Sequence, residues 1–343
     1  MSRSTSKRVV VTGASGMVGS YIVADLLSLG YENIVVPLRS EESEIRFKNR
    51  MRYLNADISS VKICNVELSN PHEVNELLEE GDILFHCAAQ VSLGSGNGHE
   101  LIENNTRITS VLADCAIKQN IQVMVHMSSI ATLESQKYPQ PTDESSFARN
   151  INNWGPYAKS KFYSENQIWR AIRSGLNGVI LNPSVIIGDG DWNSSSSIAS
   201  LLNMLSHKFP FYTEGASGYV DVRDVARAAI LLAENPKSYG QRYLVSAHNL
   251  THHELMSRLA NTLGVKPPYI KCSRRFLYVI STLEMILSAI LFRKREFSRA
   301  MVRSITSRSA YNSNLLKNTT GFEYRSLDET LNYIVDKYRS HTT

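Results

Sequence analysis

The chain has 343 residues, 43% of them apolar and 20% charged, with a formal net charge of +5. It is long enough to bury a full core and exceeds a bare nucleotide-binding domain by about 100 residues. The mild positive charge suits an anionic small molecule, but no basic cluster with interleaved aromatics accompanies it, which argues against a nucleic-acid partner.

The chain opens on MSRSTSKR, polar and running straight into an apolar strand. No signal peptide is expected, and the cytoplasm is the predicted location. Lys7 to Ser20 reads KRVVVTGASGMVGS: an apolar run, a turn holding Gly13, Gly16 and Gly19, then the helical pattern from Tyr21 to Leu27. A β-branched run closed by glycine and opening onto a helix is how a buried parallel strand presents its end to a dinucleotide. Glycine permits a tight turn and close backbone approach, and the helix N-terminus offers unpaired N–H groups to the pyrophosphate. Gly13, Ser15, Gly16, Met17, Val18 and Gly19 are therefore the candidate phosphate-binding residues.

A second strand is predicted over 33–38 and a helix over 41–53. A third strand near 61–66 leads to Glu67-Leu68, and a helix follows over 71–80, with Asn70 as cap and Pro71 in its first turn. Strand 82–87 opens onto Ala88-Ala89-Gln90. A helix over about 100–118, a strand over 123–127 ending at Ser128-Ser129, a helix from Tyr157 to Ser174 and a strand over 179–181 ending at Asn182-Pro183 complete the alternation. Strands and helices alternating in this way predict an α/β fold, a Rossmann-type doubly wound parallel sheet. Beyond Gly188 the alternation weakens. Residues 1–187 and 219–246 are assigned to the dinucleotide-binding domain. Residues 188–218 and 247–343 are assigned to a smaller, discontinuous, mainly helical substrate domain over the carboxyl ends of the strands.

Ser129, Tyr157 and Lys161 fall at a strand end or in the helix after it. Tyr157 and Lys161 are four apart and share a helix face. A phenol with a pKa of about 10 is a poor acid–base group at neutral pH. A cation beside it favours the phenolate and brings it toward the working range, while a serine hydroxyl can hydrogen-bond a substrate carbonyl oxygen.

Thr12 to Gly19, Phe85-His86-Cys87-Ala88-Ala89, Ser128-Ser129, Tyr157-Ala158-Lys159-Ser160-Lys161, Asn182-Pro183 and Tyr219 to Ala226 together resemble, in order, the pattern of the extended short-chain dehydrogenase/reductase superfamily. The resemblance spans about residues 8–265. It implies Ser129, Tyr157 and Lys161 as the catalytic triad, Asn105 as a structural or relay asparagine, and Glu67-Leu68 at the adenine. It also implies Ala88, Ala89, Gln90 and Pro183 along the cofactor, with Lys161 facing the nicotinamide ribose. Within the superfamily the chain looks more like the dihydroflavonol reductase, hydroxysteroid dehydrogenase and aldehyde reductase branch. Nucleotide-sugar epimerases and dehydratases commonly carry arginine where Asn182 stands and another before the Tyr219-Val220 strand. The resemblance thus implies an NAD(P)-dependent oxidoreductase moving hydride between nicotinamide and a ketone, aldehyde or secondary alcohol. The alternatives are a nucleotide-sugar epimerase/dehydratase or a catalytically silent NADP-sensing protein. A homodimer through two packed helices is a further family trait.

Arg39-Ser40 ends the second strand about 20 residues after Gly19, where a carboxylate would select NAD. A guanidinium can bind two phosphate oxygens at once, so NADP is the expected cofactor, with NAD possible. The nine histidines show no metal-ligand spacing, so no metal site is expected; His86 and His126, in apolar runs, are read as satisfied core residues. The four cysteines, Cys64, Cys87, Cys115 and Cys272, are widely spaced thiols rather than a disulfide framework. Residues 276–292 form a strongly apolar run between Arg274-Arg275 and Arg293-Lys294-Arg295. It is shorter than the roughly 20 residues of a spanning helix and carries Glu284 near its middle. It is predicted to be a substrate-domain helix packed on its apolar faces, with Ser281, Glu284 and Ser288 as a narrow polar stripe; peripheral membrane contact is the alternative reading.

Overall fold

A computed structural model of the chain describes residues 6–90, 98–189, 197–290 and 299–342. The first part runs β1 (Val9–Thr12), α1 (Met17–Ser28), β2 (Ile34–Leu38), α2 (Glu41–Tyr53), β3 (Val61–Asn65), α3 (Pro71–Leu77), β4 (Ile83–His86), α4 (Gly98–Lys118), β5 (Val123–Met127), α5 (Pro156–Arg173) and β6 (Gly178–Pro183). Then come β7 (Val185–Ile187), α6 (Ser197–Ser206), β8 (Phe211–Tyr212), β9 (Ala216–Asp221), α7 (Val222–Ala233), β10 (Gln241–Val245) and β11 (His248–Thr251). The chain ends with α8 (His252–Leu263), β12 (Ile270–Lys271), α9 (Arg274–Ile290), α10 (Arg299–Thr306), α11 (Asn314–Thr320) and α12 (Leu327–Thr342).

Seven strands form one sheet in the order β10-β6-β5-β4-β1-β2-β3, every neighbouring pair parallel. Successive side chains on a strand point to opposite faces, and a parallel sheet is covered on both. Accordingly Val9, Val11, Ile34, Val36, Phe85 and Val125 join one buried cluster with residues of α1 and α7. Val10, Val35, Leu84, Met124 and Ile180 join the other with residues of α3, α4 and α5. The α/β sheet expected from the alternation of elements is the observed one.

Local chemistry sets the element ends. Asn70 caps α3, its side-chain oxygen accepting from His72 N at 3.0 Å, and Pro71 occupies the first helical position. The helix stops at Leu77 rather than at residue 80, because Leu78 turns extended and buries its side chain under the sheet.

β11, β9 and β7 form a separate three-stranded sheet, β7 parallel and β11 antiparallel to β9. Its strands come from both sides of the expected boundaries at 187, 218 and 246. Beyond it, Leu202 and Leu205 of α6, Leu255 and Leu259 of α8, and Leu331 and Ile334 of α12 form their own core. Asp221 caps α7 by accepting from Arg223 N at 2.8 Å, and the buried Asp224 accepts from Arg325 N at 2.8 Å. Asp224 thereby ties the returning segment to the C-terminal part.

The apolar run at 276–292 departs from expectation. Its helix, α9, has α10 as its main packing partner; Leu277 is buried, but one apolar face of the helix stays exposed. Ser281 is buried, whereas Phe276, Val279, Ile280 and Leu283 are exposed. One short neighbouring helix covers too little surface to enclose a helix that is apolar on most sides. Leu291, Phe292 and the Arg293-Lys294-Arg295 flank lie outside the described residues. Among the described residues, no helix is long and apolar enough to cross a membrane.

Candidate active site

The carboxyl ends of β1, β2, β4, β5 and β6 converge on one edge of the sheet, the edge where ligands of such folds bind. Gly13 leaves β1 with φ +71°, a left-handed conformation that glycine adopts without strain. A Cβ at Gly13 would lie 2.5 Å from Ala88 N, and one at Gly19 would lie 2.4 Å from Gly13 O. These glycines let the turn seat against the end of β4 and let α1 seat against the turn. Gly16 caps α1 without any side chain closing it, so the helix N-terminus keeps its free N–H groups and partial positive charge. A side-chain-free cradle at a helix N-terminus fits the diphosphate of a dinucleotide. Ser15 and Met17 border that opening, half-buried, with Val18 beside them.

Thr12 and His86 support this edge from below. Ala88 N donates to Thr12 Oγ1 at 3.3 Å, and Thr12 Oγ1 lies 2.9 Å from His86 Nδ1. His86 Nε2 lies 3.0 Å from Thr109 Oγ1, which donates to Asn105 O at 2.8 Å. One consistent direction runs through the chain, with His86 protonated on Nε2 only. Burial, aided by the Lys161 charge, holds its pKa at about 3, so it is a neutral, satisfied core residue as expected. His126 differs: its ring stacks 5.1 Å from His86, but both nitrogens are buried without a hydrogen bond.

Asn105 is buried, and its side-chain oxygen accepts from Gln90 N at 2.8 Å. Its amide donates to Gln90 O at 3.0 Å and to Ser160 Oγ at 2.7 Å. It therefore clamps the Ala88-Ala89-Gln90 turn to α5; its contacts are structural.

Arg39 and Ser40 follow β2, both exposed. Ser40 caps α2, accepting from Ser43 N at 3.3 Å, so its oxygen already has a donor. Glu67 folds over Ser69, accepting from its backbone N at 3.0 Å and its hydroxyl at 2.8 Å. Those bonds, with the Arg39 charge nearby, hold the Glu67 carboxyl below its ordinary pKa. Leu68 packs partly into the sheet core, and Pro183 is buried at the end of β6.

Ser129 follows β5 and accepts from Ala131 N at 3.1 Å. It hydrogen-bonds Tyr157, which eases a phenol pKa that burial raises. Lys161 is buried one turn further along α5, its Nζ donating to Met127 O at 2.7 Å. Desolvation lowers its pKa to about 8, against the pull of Cys87 and Glu165. Burial pushes the Cys87 thiol up to about 12. The structure thus brings Ser129, Tyr157 and Lys161 together. The group that eases Tyr157 is Ser129, and the lysine points to a backbone carbonyl. At neutral pH the phenol holds its proton and the lysine its charge.

The sequence reading missed Glu165. It continues the 157, 161, 165 row of α5, a spacing that could have revealed it. Buried at 4% exposure, it accepts at one oxygen from Ser128 Oγ at 2.6 Å, Thr132 Oγ1 at 2.9 Å and Asn182 Nδ2 at 2.9 Å. Its other oxygen takes Trp169 Nε1 at 3.2 Å and faces Arg242 Nη1 at 3.2 Å. Asn182 also donates to Ser129 O at 3.0 Å, so one buried carboxylate holds the peptide that carries Ser129. Trp154, next to the site in sequence, packs edge-on against Phe162 at 5.8 Å. Among the described residues, no cluster of metal-ligating side chains occurs.

The model of the NAD dependent epimerase/dehydratase family matches residues 9–246. Cinnamoyl-CoA reductase 1 of Petunia hybrida is 29% identical over 283 residues, covering 79% of this chain and 82% of that protein. The bifunctional dihydroflavonol 4-reductase/flavanone 4-reductase of Malus domestica is 27% identical over 268 residues, covering 75% and 76%. The crystal structure of gox2253 superposes with a TM-score of 0.81 at 25% identity, covering 98% of both chains.

Proposed function

This chain belongs to the NAD dependent epimerase/dehydratase family, an enzyme of the extended short-chain dehydrogenase/reductase class, and on that premise we propose that it is a carbonyl reductase acting on uncharged ketones or aldehydes. The observation that carries this reading is Tyr157, a phenol held protonated by burial and hydrogen-bonded to Ser129 at the sheet's carboxyl edge. The nicotinamide cofactor supplies the hydride when bound. Tyr157 gives its proton to the substrate oxygen, and Ser129 orients that oxygen by a hydrogen bond. The Lys161 ammonium, one turn away, stabilises the phenolate left behind. Gly13, Gly16 and Gly19 would hold the diphosphate, and the clamped Ala88–Gln90 turn would line the nicotinamide side.

A phenol that keeps its proton at neutral pH fits the proton-donor role that carbonyl reduction asks of Tyr157. The nucleotide-sugar alternative needs cations for a diphosphate substrate. Asn182 stands at the position concerned, is fully buried and turns its amide to Ser129 O and Glu165, away from solvent. The reductase names of the relatives favour the same side. Tyr157→Phe should lower kcat for a panel of aliphatic and aromatic carbonyls by at least about 10³-fold, with cofactor Kd unchanged. Retention of more than a few per cent of the rate would refute the assignment. Wild-type turnover of nucleotide sugars with none of the carbonyls would favour the alternative.

NADP(H) is the cofactor we infer, since the exposed Arg39 stands beyond β2 where a carboxylate would otherwise meet the ribose. Arg39→Asp should weaken NADPH by about tenfold to a hundredfold and leave NADH bound at least as well. Equal dissociation constants for the two cofactors in the unmodified protein would contradict this.

A further inference from the structure

The amphipathicity of α9 is inverted. On the side facing the protein stand Leu277, 7% exposed, and the fully buried Ser281. On the side facing solvent stand Phe276 (53% exposed), Val279 (57%), Ile280 (37%) and Leu283 (55%), at the i, i+3, i+4, i+7 spacing of one continuous helix face. A surface helix ordinarily shows the reverse arrangement, and a contiguous apolar face rimmed by charge marks a site of interaction.

The rim identifies the partner's charge. Arg274 and Arg275 begin α9, and Arg299 and Arg303 stand exposed on α10, which packs along it. Arg274 leans on Tyr278 at 5.6 Å, and Arg299 donates to Thr282 Oγ1 at 3.4 Å, so both guanidiniums border the helix. The half-buried Glu284 is the acid of α9. In the sequence, residues 271–308 hold nine Lys and Arg against two Glu, while the whole chain nets +5, so the rest of the chain is slightly acidic. In the sequence, then, the net positive charge falls within the segment that holds α9 and α10.

We propose that α9 and α10 form a docking surface for the face of an anionic phospholipid bilayer, with Phe276, Val279, Ile280 and Leu283 entering the interface and Arg274, Arg275, Arg299 and Arg303 meeting the headgroups. An apolar face flanked by arginines is the pattern of a helix lying in the plane of a membrane interface, where long basic side chains reach up to phosphate. Its seventeen described residues are fewer than a spanning helix needs, and among the described residues no helix is long and apolar enough to cross a membrane. A second copy of the chain is a poor occupant, since two such faces would bring arginines against arginines.

The full-length protein, sedimented with vesicles, tests this. It should partition onto vesicles of three parts phosphatidylcholine to one part phosphatidylserine, about tenfold more strongly than onto phosphatidylcholine alone, and release as salt rises. The double variant Phe276→Ser/Leu283→Ser should lose at least about tenfold of that partition, and so should Arg275→Glu/Arg299→Glu. Both variants should keep the thermal midpoint and cofactor affinity of the parent, because the altered side chains are exposed. The proposal fails if the phosphatidylserine vesicles leave the protein in the supernatant, or if neither variant changes its sedimentation. It also fails if the variants abolish only a concentration-dependent dimer, or only the binding of an acidic peptide.

Discussion

Two helices of nearly equal length, the eighteen-residue α5 and the seventeen-residue α9, solve opposite problems. α5 turns its polar groups inward: Lys161 and Glu165 are buried, and each finds a partner in Met127 O, Ser128, Thr132, Asn182 or Arg242. A buried charge without such partners would cost several kcal/mol, so the network and the burial require each other. α9 turns apolar groups outward, with Phe276, Val279, Ile280 and Leu283 each more than a third exposed. Order in the first region is therefore set from inside the protein. What completes the second lies outside it.

Changes at the sheet edge should show this internal constraint at its strongest. Gly13→Val places a branched side chain at φ +71° with its Cβ 2.5 Å from a backbone nitrogen. Nothing flexible can give way there. A loss of about 3 kcal/mol or more in unfolding free energy is expected, with cofactor binding abolished, as denaturant titration and cofactor fluorescence would show. A variant with full stability would mean that the turn is not held as described.

A smaller effect, with a definite sign, comes from Lys161. Its pKa in the folded protein is about 8, below the ordinary 10.5. The unfolded chain thus binds more protons than the folded one between these values, and this group makes the fold more stable as pH rises from about 8 toward 10.5. Activity should move the other way. On the proposed role of the Lys161 ammonium in stabilising the Tyr157 phenolate, its loss above about pH 8 should make kcat/KM for reduction fall with an apparent pKa near 8. In Lys161→Met both the alkaline limb and the stability rise should vanish. A wild-type profile flat through this range would contradict the buried, charged lysine.

The same contrast explains what could be read in advance. The sheet was legible because the apolar runs at Val9–Thr12, Ile34–Leu38 and Val123–Met127 are continuous, close on turn residues and alternate with helical segments along the chain. The joining of Ser129 to Tyr157 was legible for a different reason: Ser129 lies just beyond the end of β5, and Tyr157 opens the helix that leads on to β6. Glu165 was not, because a carboxylate on a helix reads as a solvated face until Ser128, Thr132 and Asn182 arrive from distant strand ends to meet it. The facing of α9 was hidden too. Its apolar positions cover most of the helix circumference, so spacing alone could not say which side would find a neighbour. Helical spacing marked Ser281 as part of a polar stripe, and only packing showed Ser281 turned inward.

The smallest predicted effect separates the two helices most cleanly. Ile168 on α5 is fully buried in the cluster beneath the sheet, whereas Leu283 on α9 is 55% exposed. Truncating Ile168 to alanine removes buried methylenes and leaves a cavity among Leu112, Ala116 and Ile180, members of the same cluster, for a loss of about 2–5 kcal/mol. Truncating Leu283 removes surface that water already covers, so Leu283→Ala should change unfolding free energy by no more than about 0.5 kcal/mol. If the exposed face is completed by something outside the chain, the isolated protein has no reason to feel its loss. A destabilisation by Leu283→Ala comparable to that of Ile168→Ala, measured in the same denaturant titration, would show that α9 is covered within the protein itself.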